Sequence, residues 1–231
     1  MNNKTMTDPH AVPFSNPAFT AKGEPRAQIA LGTLKTLWFN TGTLCNITCE
    51  NCYIESSPQN DRLVYLSRAE VDLFLDEVGT QHHATEEIGI TGGEPFMNPD
   101  ILPIMQSCLA RGFKLLVLTN AMRPMMRPRI QAGLLDLKKQ FAEQLTLRVS
   151  IDHFDPALHE QERGRGSWSA MIRGIRWLQR NGFAFHVAGR TRWGDSEGDL
   201  RQGYARVFDG LNTRLDTANP QALVVFRASD A

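Results

Sequence analysis

The chain has 231 residues, 42% hydrophobic and 22% charged, which is enough apolar material for one large domain with a real core. Lys plus Arg and Asp plus Glu balance at 25 each, so a net charge of zero gives no bulk electrostatic case for a nucleic-acid partner. No apolar run of about 18 residues is present to span a membrane. The N-terminal MNNKTMTDPHAVPFSNPAF lacks a secretory apolar core, and four cysteines, three of them clustered, do not make a secreted disulfide framework. The expected home is therefore a reducing cytoplasm.

In chain order, residues 1–35 read as an N-terminal extension and 36–231 as one core domain. Short runs rich in Val, Ile, Leu and Phe, bounded by Gly, Asn or Asp, predict six strands: Thr36 to Asn40, Glu86 to Ile90, Phe113 to Thr119, Leu145 to Ile151, Phe183 to Val187 and Ala222 to Phe226. Helical patterns lie between them. Ser67 and Glu70 stand at capping-box spacing before a helix that stops at Gly79, with Val71, Phe74, Leu75 and Val78 on one face. Asn98 is the expected cap of a second helix ending at Gly112, and Ser167 of another ending at Gly182; two more are expected near Pro128 to Phe141 and Asp199 to Leu211. Strands alternating with helices imply a parallel sheet with right-handed crossovers. Six units fall short of a closed eight-stranded barrel, so an open, partial (β/α)6 barrel is expected, with a doubly wound sheet as the alternative. Either fold places ligands at the C-terminal ends of the strands.

After the first strand comes a long loop carrying CNITCENC, with Cys45, Cys49 and Cys52 spaced C-x3-C-x2-C. Thiolates suit zinc or iron–sulfur centres because sulfur is a soft donor. Structural zinc usually takes four protein ligands in two separated pairs, and no second pair exists. Cys108 lies in an amphipathic helix and reads as a small buried hydrophobe, while His82 and His83 read as surface residues. A [4Fe-4S] cluster normally takes four cysteines, so three leave one iron open, as in a catalytic rather than a structural site. The basic stretch with Arg123, Arg127 and Arg129 reads as a solvated helix start, with phosphate contact as the alternative.

Three motifs in order carry a resemblance: the cysteine triplet after strand one, TGGEP from Thr91 to Pro95 after strand two, and VSIDHFDPALHEQERG from Val149 to Gly164 beginning in strand four. Over roughly Thr36 to Phe226 the chain resembles the radical S-adenosylmethionine (radical SAM) superfamily, in the style of its maturase or peptide-modifying members. The resemblance implies that Cys45, Cys49 and Cys52 hold a [4Fe-4S] cluster whose fourth iron is chelated by the methionine end of SAM. Reductive cleavage then gives a 5′-deoxyadenosyl radical that abstracts hydrogen from a small-molecule or peptide substrate; the alternative is an iron–sulfur electron-transfer module, or a shortened paralogue without turnover. An electron donor such as flavodoxin or ferredoxin is implied as a partner. Gly92, Gly93 and Glu94 would meet the methionine ammonium, and Ser150 and Asp152 the ribose or methionine moiety. Asn120 is either a pocket residue or a plain turn residue. Arg163 and Arg190 are each either a ligand of the methionine carboxylate or a surface ion pair. The family often has an aromatic residue just before the third cysteine; here that place holds Asn51, and Tyr53 follows. No cysteine follows Cys108, so auxiliary clusters of the kind many such members carry are not expected in this chain.

Overall fold

The computed structural model describes residues 16–20, 22–30, 32–81 and 84–226. The expectation for His82 and His83 lies outside these residues, as does that for most of the N-terminal stretch. The chain divides into two units at Thr33–Leu34. Within the first, Phe19 and Pro25 form an antiparallel bridge around a turn in which the Gly23 N–H donates to the Thr20 carbonyl (2.9 Å).

Among its described residues the second unit holds six strands and six α-helices. The strands are β1 (Thr36–Asn40), β2 (Glu87–Thr91), β3 (Lys114–Thr119), β4 (Leu145–Ser150), β5 (Phe185–Arg190) and β6 (Leu223–Phe226). The helices are α1 (Arg68–Thr80), α2 (Ile101–Ala110), α3 (Pro128–Phe141), α4 (Pro156–Arg163), α5 (Ser167–Arg180) and α6 (Glu197–Gly210). All neighbouring strands pair in parallel, in the order β1-β2-β3-β4-β5-β6. A monotonic order has no switch point, so crossovers of one hand keep the helices on one face and leave the other as an interior. That selects the open, partial barrel over the doubly wound sheet.

Alternation along each strand decides which side chains meet the helices. Ile88, Ile90, Leu115, Val117, Leu147, Val149, Val187 and Leu223 join one buried core with Leu75, Ile104, Met105, Leu134, Met171, Ile175 and Tyr204. Each such aliphatic contributes about 1.5–3 kcal/mol by leaving water. Cys108 belongs to this core, fully buried, and burial pushes its thiol up to about 12, so it behaves as a small hydrophobe.

Several boundaries differ from the sequence reading, each for a local reason. The Asn98 side chain does not cap α2. It accepts from the Asp100 N–H (2.8 Å) and donates to the carbonyls of Leu66 (2.8 Å) and Thr41 (3.2 Å), while Asp100 takes the cap position. Gly166, in the left-handed region (φ 81), takes the cap position of α5, and Ser167 is its first helical residue. β5 extends to Arg190 because Gly189 makes room for the Tyr204 hydroxyl of α6, a tertiary fit. Helix α4 was not expected. Asp155 caps it through bonds from the Ala157 (2.8 Å) and Leu158 (3.2 Å) N–H groups, with Pro156 at its first position. In the basic stretch, Arg127 donates to the Phe96 carbonyl (3.0 Å) and Arg129 to the Pro99 carbonyl (3.0 Å), which favours a structural role over phosphate contact.

Candidate active site

β1 continues pairing for one residue beyond its end, with the Thr41 N–H donating to the Thr91 carbonyl (2.9 Å). The cysteine loop then lies directly on the backbone that follows β2. The Gly93 N–H donates to the Gly42 carbonyl (2.8 Å) and the Glu94 N–H to the Leu44 carbonyl (3.1 Å). A Cβ on Gly93 would collide with the Leu44 carbonyl oxygen; one on Gly92, whose φ is +149, would stand 2.8 Å from the Gly42 carbonyl oxygen. Both positions therefore require glycine. The far side of the loop closes where the Cys45 N–H donates to the Ser57 carbonyl (3.1 Å) and the Ser56 N–H donates to Cys52 Sγ (3.2 Å).

This folding gathers most of the residues singled out from sequence around one cavity of about 350 Å³ at the C-terminal ends of the strands. It takes in Cys45, Cys49 and Cys52 from the loop, Gly92 and Gly93 after β2, and Asn120 after β3. From the other side come Ser150 and Asp152 at the end of β4, Arg163 at the end of α4 and Arg190 at the end of β5. Asn40, Thr91, Thr119 and Ala188, which the sequence reading did not single out, line it too, and Tyr53 stands at its rim almost fully exposed.

Glu94 departs from the expectation. Its carboxylate does not line the cavity. It accepts from Thr119 Oγ1 (2.8 Å), the Asn120 N–H (2.8 Å) and the Phe96 N–H (3.3 Å). Burial pushes this carboxyl up to about 7 despite those bonds. Its role is to fix Asn120, whose amide nitrogen donates to Asn46 Oδ1 (2.9 Å) and approaches Cys45 Sγ (3.9 Å).

The three thiols are free. Burial pushes Cys45 up to about 12 and raises Cys49, while the Arg163 cation pulls both back down. Among the described residues no three His, Cys, Asp or Glu side chains converge on a single ion position. Three thiols on the wall of one cavity are a soft donor set whose chemistry suits an iron–sulfur cluster. Ligation would release the thiol protons that burial otherwise retains.

The opposite flank of the loop is held by charge. Glu162, with its side chain fully buried in α4, accepts from the Asn51 N–H (2.9 Å) and from Asn51 Nδ2 (2.9 Å), and pairs with Arg192. Arg190 donates to the Asn51 carbonyl (2.9 Å), the Glu50 N–H donates to the Glu162 carbonyl (2.9 Å), and Arg192 also meets Glu50 (3.1 Å). Asp152 lies between two arginines, Arg163 on one side and Arg190 Nε (2.9 Å) on the other. Burial alone would raise the Asp152 carboxyl, but these cations outweigh it and hold it below its usual range. The two arginines differ in availability: Arg163 is buried against Asp152, whereas the Arg190 side chain keeps 27% exposure on the cavity wall. The neighbouring His153 is turned to structure, accepting from the Asp155 N–H (2.9 Å) and facing Asp195 (3.2 Å). Glu162 escaped the sequence reading because α4 did; the Asp155-Pro156 cap signal was the available clue.

Comparison with known proteins matches residues 39–191 to the model of the radical SAM superfamily. The chain is 29% identical over 147 residues to the antilisterial bacteriocin subtilosin biosynthesis protein AlbA of Bacillus subtilis, covering 62% of this chain and 30% of that protein. Among solved structures it is similar in fold to Streptococcus suis SuiB bound to S-adenosylmethionine (TM-score 0.50, 17% identity, 85% of this chain and 51% of that one). It is likewise similar to methylornithine synthase, PylB (TM-score 0.60, 14% identity, 84% and 53%). The chain thus spans about a third of the curated relative and about half of the solved chains.

Proposed function

Because this chain belongs to the radical SAM superfamily, we propose that it binds a [4Fe-4S] cluster through Cys45, Cys49 and Cys52 and cleaves SAM reductively, with a donor of the flavodoxin or ferredoxin type supplying the electron. The observation that carries this reading is the single cavity that gathers the three thiols, the glycine pair and the β4–β5 polar groups. When bound, the cluster supplies the electron transfer that breaks the SAM carbon–sulfur bond, giving the 5′-deoxyadenosyl radical.

The protein's own residues bind and orient. The Gly92-Gly93 backbone forms a floor without side chains, so a ligand approaches main-chain polar groups directly. Arg190 is the better placed arginine for a carboxylate, since it is the more exposed of the two and Asp152 fixes its Nε. Arg163 tempers the negative charge that three thiolates bring to a poorly hydrated site. Ser150 presents a hydroxyl to the cavity, and Asn120 steadies Asn46 next to Cys45. The relatives differ in what their names make, a bacteriocin for AlbA and methylornithine for PylB, so membership leaves the substrate between a peptide and a small molecule.

Anaerobic reconstitution is expected to give about four irons per chain. Dithionite and SAM are then expected to yield 5′-deoxyadenosine and methionine. A folded protein that takes up zinc and no iron, or holds iron and makes no deoxyadenosine, contradicts the proposal.

A further inference from the structure

The inner face of the sheet carries a polar pair that the cysteine cavity does not use. In β4, Leu145, Leu147 and Val149 enter the core, so Thr146, Arg148 and Ser150 face the interior. In β5, His186 shares the parity of Ala188 and Arg190, which line the cavity. Register sets Arg148 beside His186 on one side and beside Leu118 on the other. Leu118 and Ser150 both line the cavity, so Arg148 lies on the same wall, about 7 Å along the strand from Ser150.

Among the described residues neither member of the pair has a bonded counterion. Arg148 Nε and His186 Nδ1 are buried and lack a hydrogen-bond partner, and Arg148 forms no ion pair among the described residues. Glu87, on β2, acts on Arg148 through space only. Burial pulls Arg148 down, and burial together with the Arg148 charge pulls His186 down, which places the two groups within each other's field. A half-buried arginine facing a histidine, with one buried nitrogen of each unbonded and Glu87 acting only through space, leaves donors available to a partner from outside. In a barrel interior next to a cofactor cavity, such a gap is where a ligand group fits. On the same inner face, the Trp38 ring covers Gly89, with which it is in register, and adds an apolar wall at the open edge.

We propose that Arg148 and His186 form an anion subsite on the inner wall that holds a carboxylate or phosphate group of the substrate below the cofactor cavity. The arginine fork suits either oxyanion, and the imidazole supplies a further donor. The proposal rests on the radical SAM reading and narrows its substrate to one with an anionic group.

The test titrates the reconstituted, SAM-loaded protein with inorganic phosphate and with acetate by calorimetry. At least one anion is expected to bind saturably; tighter phosphate binding indicates a phosphorylated substrate, tighter acetate binding a carboxylate. Arg148→Met is expected to weaken binding about tenfold or more, and His186→Gln about threefold. In the unsubstituted protein the bound anion is expected to slow phenylglyoxal modification of Arg148, read by peptide mass spectrometry, an arm that needs no variant to fold. Absence of binding for both anions, equal affinity in Arg148→Met, or a modification rate indifferent to the anion overturns the subsite. Deoxyadenosine production by the unsubstituted protein is scored apart. If it is present without anion binding, the subsite alone fails; if it is absent, the radical SAM reading fails, whatever the titration shows.

Discussion

The two flanks of the cysteine loop are held by opposite means. On the β2 side the contact is main chain on main chain, through Gly93 to Gly42 and Glu94 to Leu44, with no room for a methyl group. On the α4–β5 side it is side chain and charge, through Glu162, Arg190 and Arg192 acting on Glu50 and Asn51. The first flank tolerates no added volume but is indifferent to salt. The second accepts changes of shape but depends on charges being paired. The loop that carries the three cysteines thus has one rigid support and one adjustable one.

The sharpest way to break the comparison is Gly93→Ala. The new methyl meets a carbonyl rather than a flexible side chain, so a loss of about 3 kcal/mol or more and failure to incorporate iron are expected. Urea unfolding and iron analysis check it, and a variant with normal values shows that the close approach is not required. On the charged flank, Glu162→Ala strands both Asn51 donors and leaves Arg192 with Glu50 alone. Because Arg192 keeps that partner and 24% exposure, the expected cost is about 2–3 kcal/mol, less than for breaking a fully buried pair. Glu162→Gln should restore part of it.

The flanks also differ in sign with pH. Glu94 is raised from 4.5 to about 7 in the folded chain, so the folded state binds its proton more tightly. Its contribution to stability falls as pH rises from about 4.5 to about 7, on the order of 3 kcal/mol, and Glu94→Gln should flatten this slope. Asp152 is lowered, so its contribution is present above the ordinary carboxylate value of 3.8 and is lost as pH falls through the lowered value. Thermal melts of the metal-free chain between about pH 3 and 8 should show both limbs. Asn51→Ala removes one side-chain bond and keeps the backbone one, for about 1 kcal/mol by the same unfolding assay. Smallest is Glu50→Gln, below about 1 kcal/mol and masked by salt, because Glu50 is half-exposed.

The same contrast explains what the sequence made legible. TGGEP and the cysteine triplet are local patterns whose residue types follow from backbone geometry, so the main-chain flank could be read, though not the inward turn of Glu94 toward Thr119 and Asn120. The charged flank joins residues more than a hundred positions apart, such as Asn51 and Glu162, and no spacing announces that pairing. Asn51 reads as the absence of an aromatic; in the structure it ties the loop to α4 together with Glu50. The apolar run that marks β5 ends at Val187, whereas the strand runs to Arg190 past Gly189, a glycine whose packing against Tyr204 no local pattern shows. The alternation that turns Arg148 inward was visible in LTLRVS, but the lack of a counterion was not.

The central claim is that three cysteines leave an iron free for SAM. Electron paramagnetic resonance of the reconstituted, reduced protein tests it most directly. The account predicts a reduced [4Fe-4S] signal that changes when SAM is added, and loss of that signal in a Cys49→Ala variant. A cluster signal identical with and without SAM contradicts it and assigns the site to electron transfer alone.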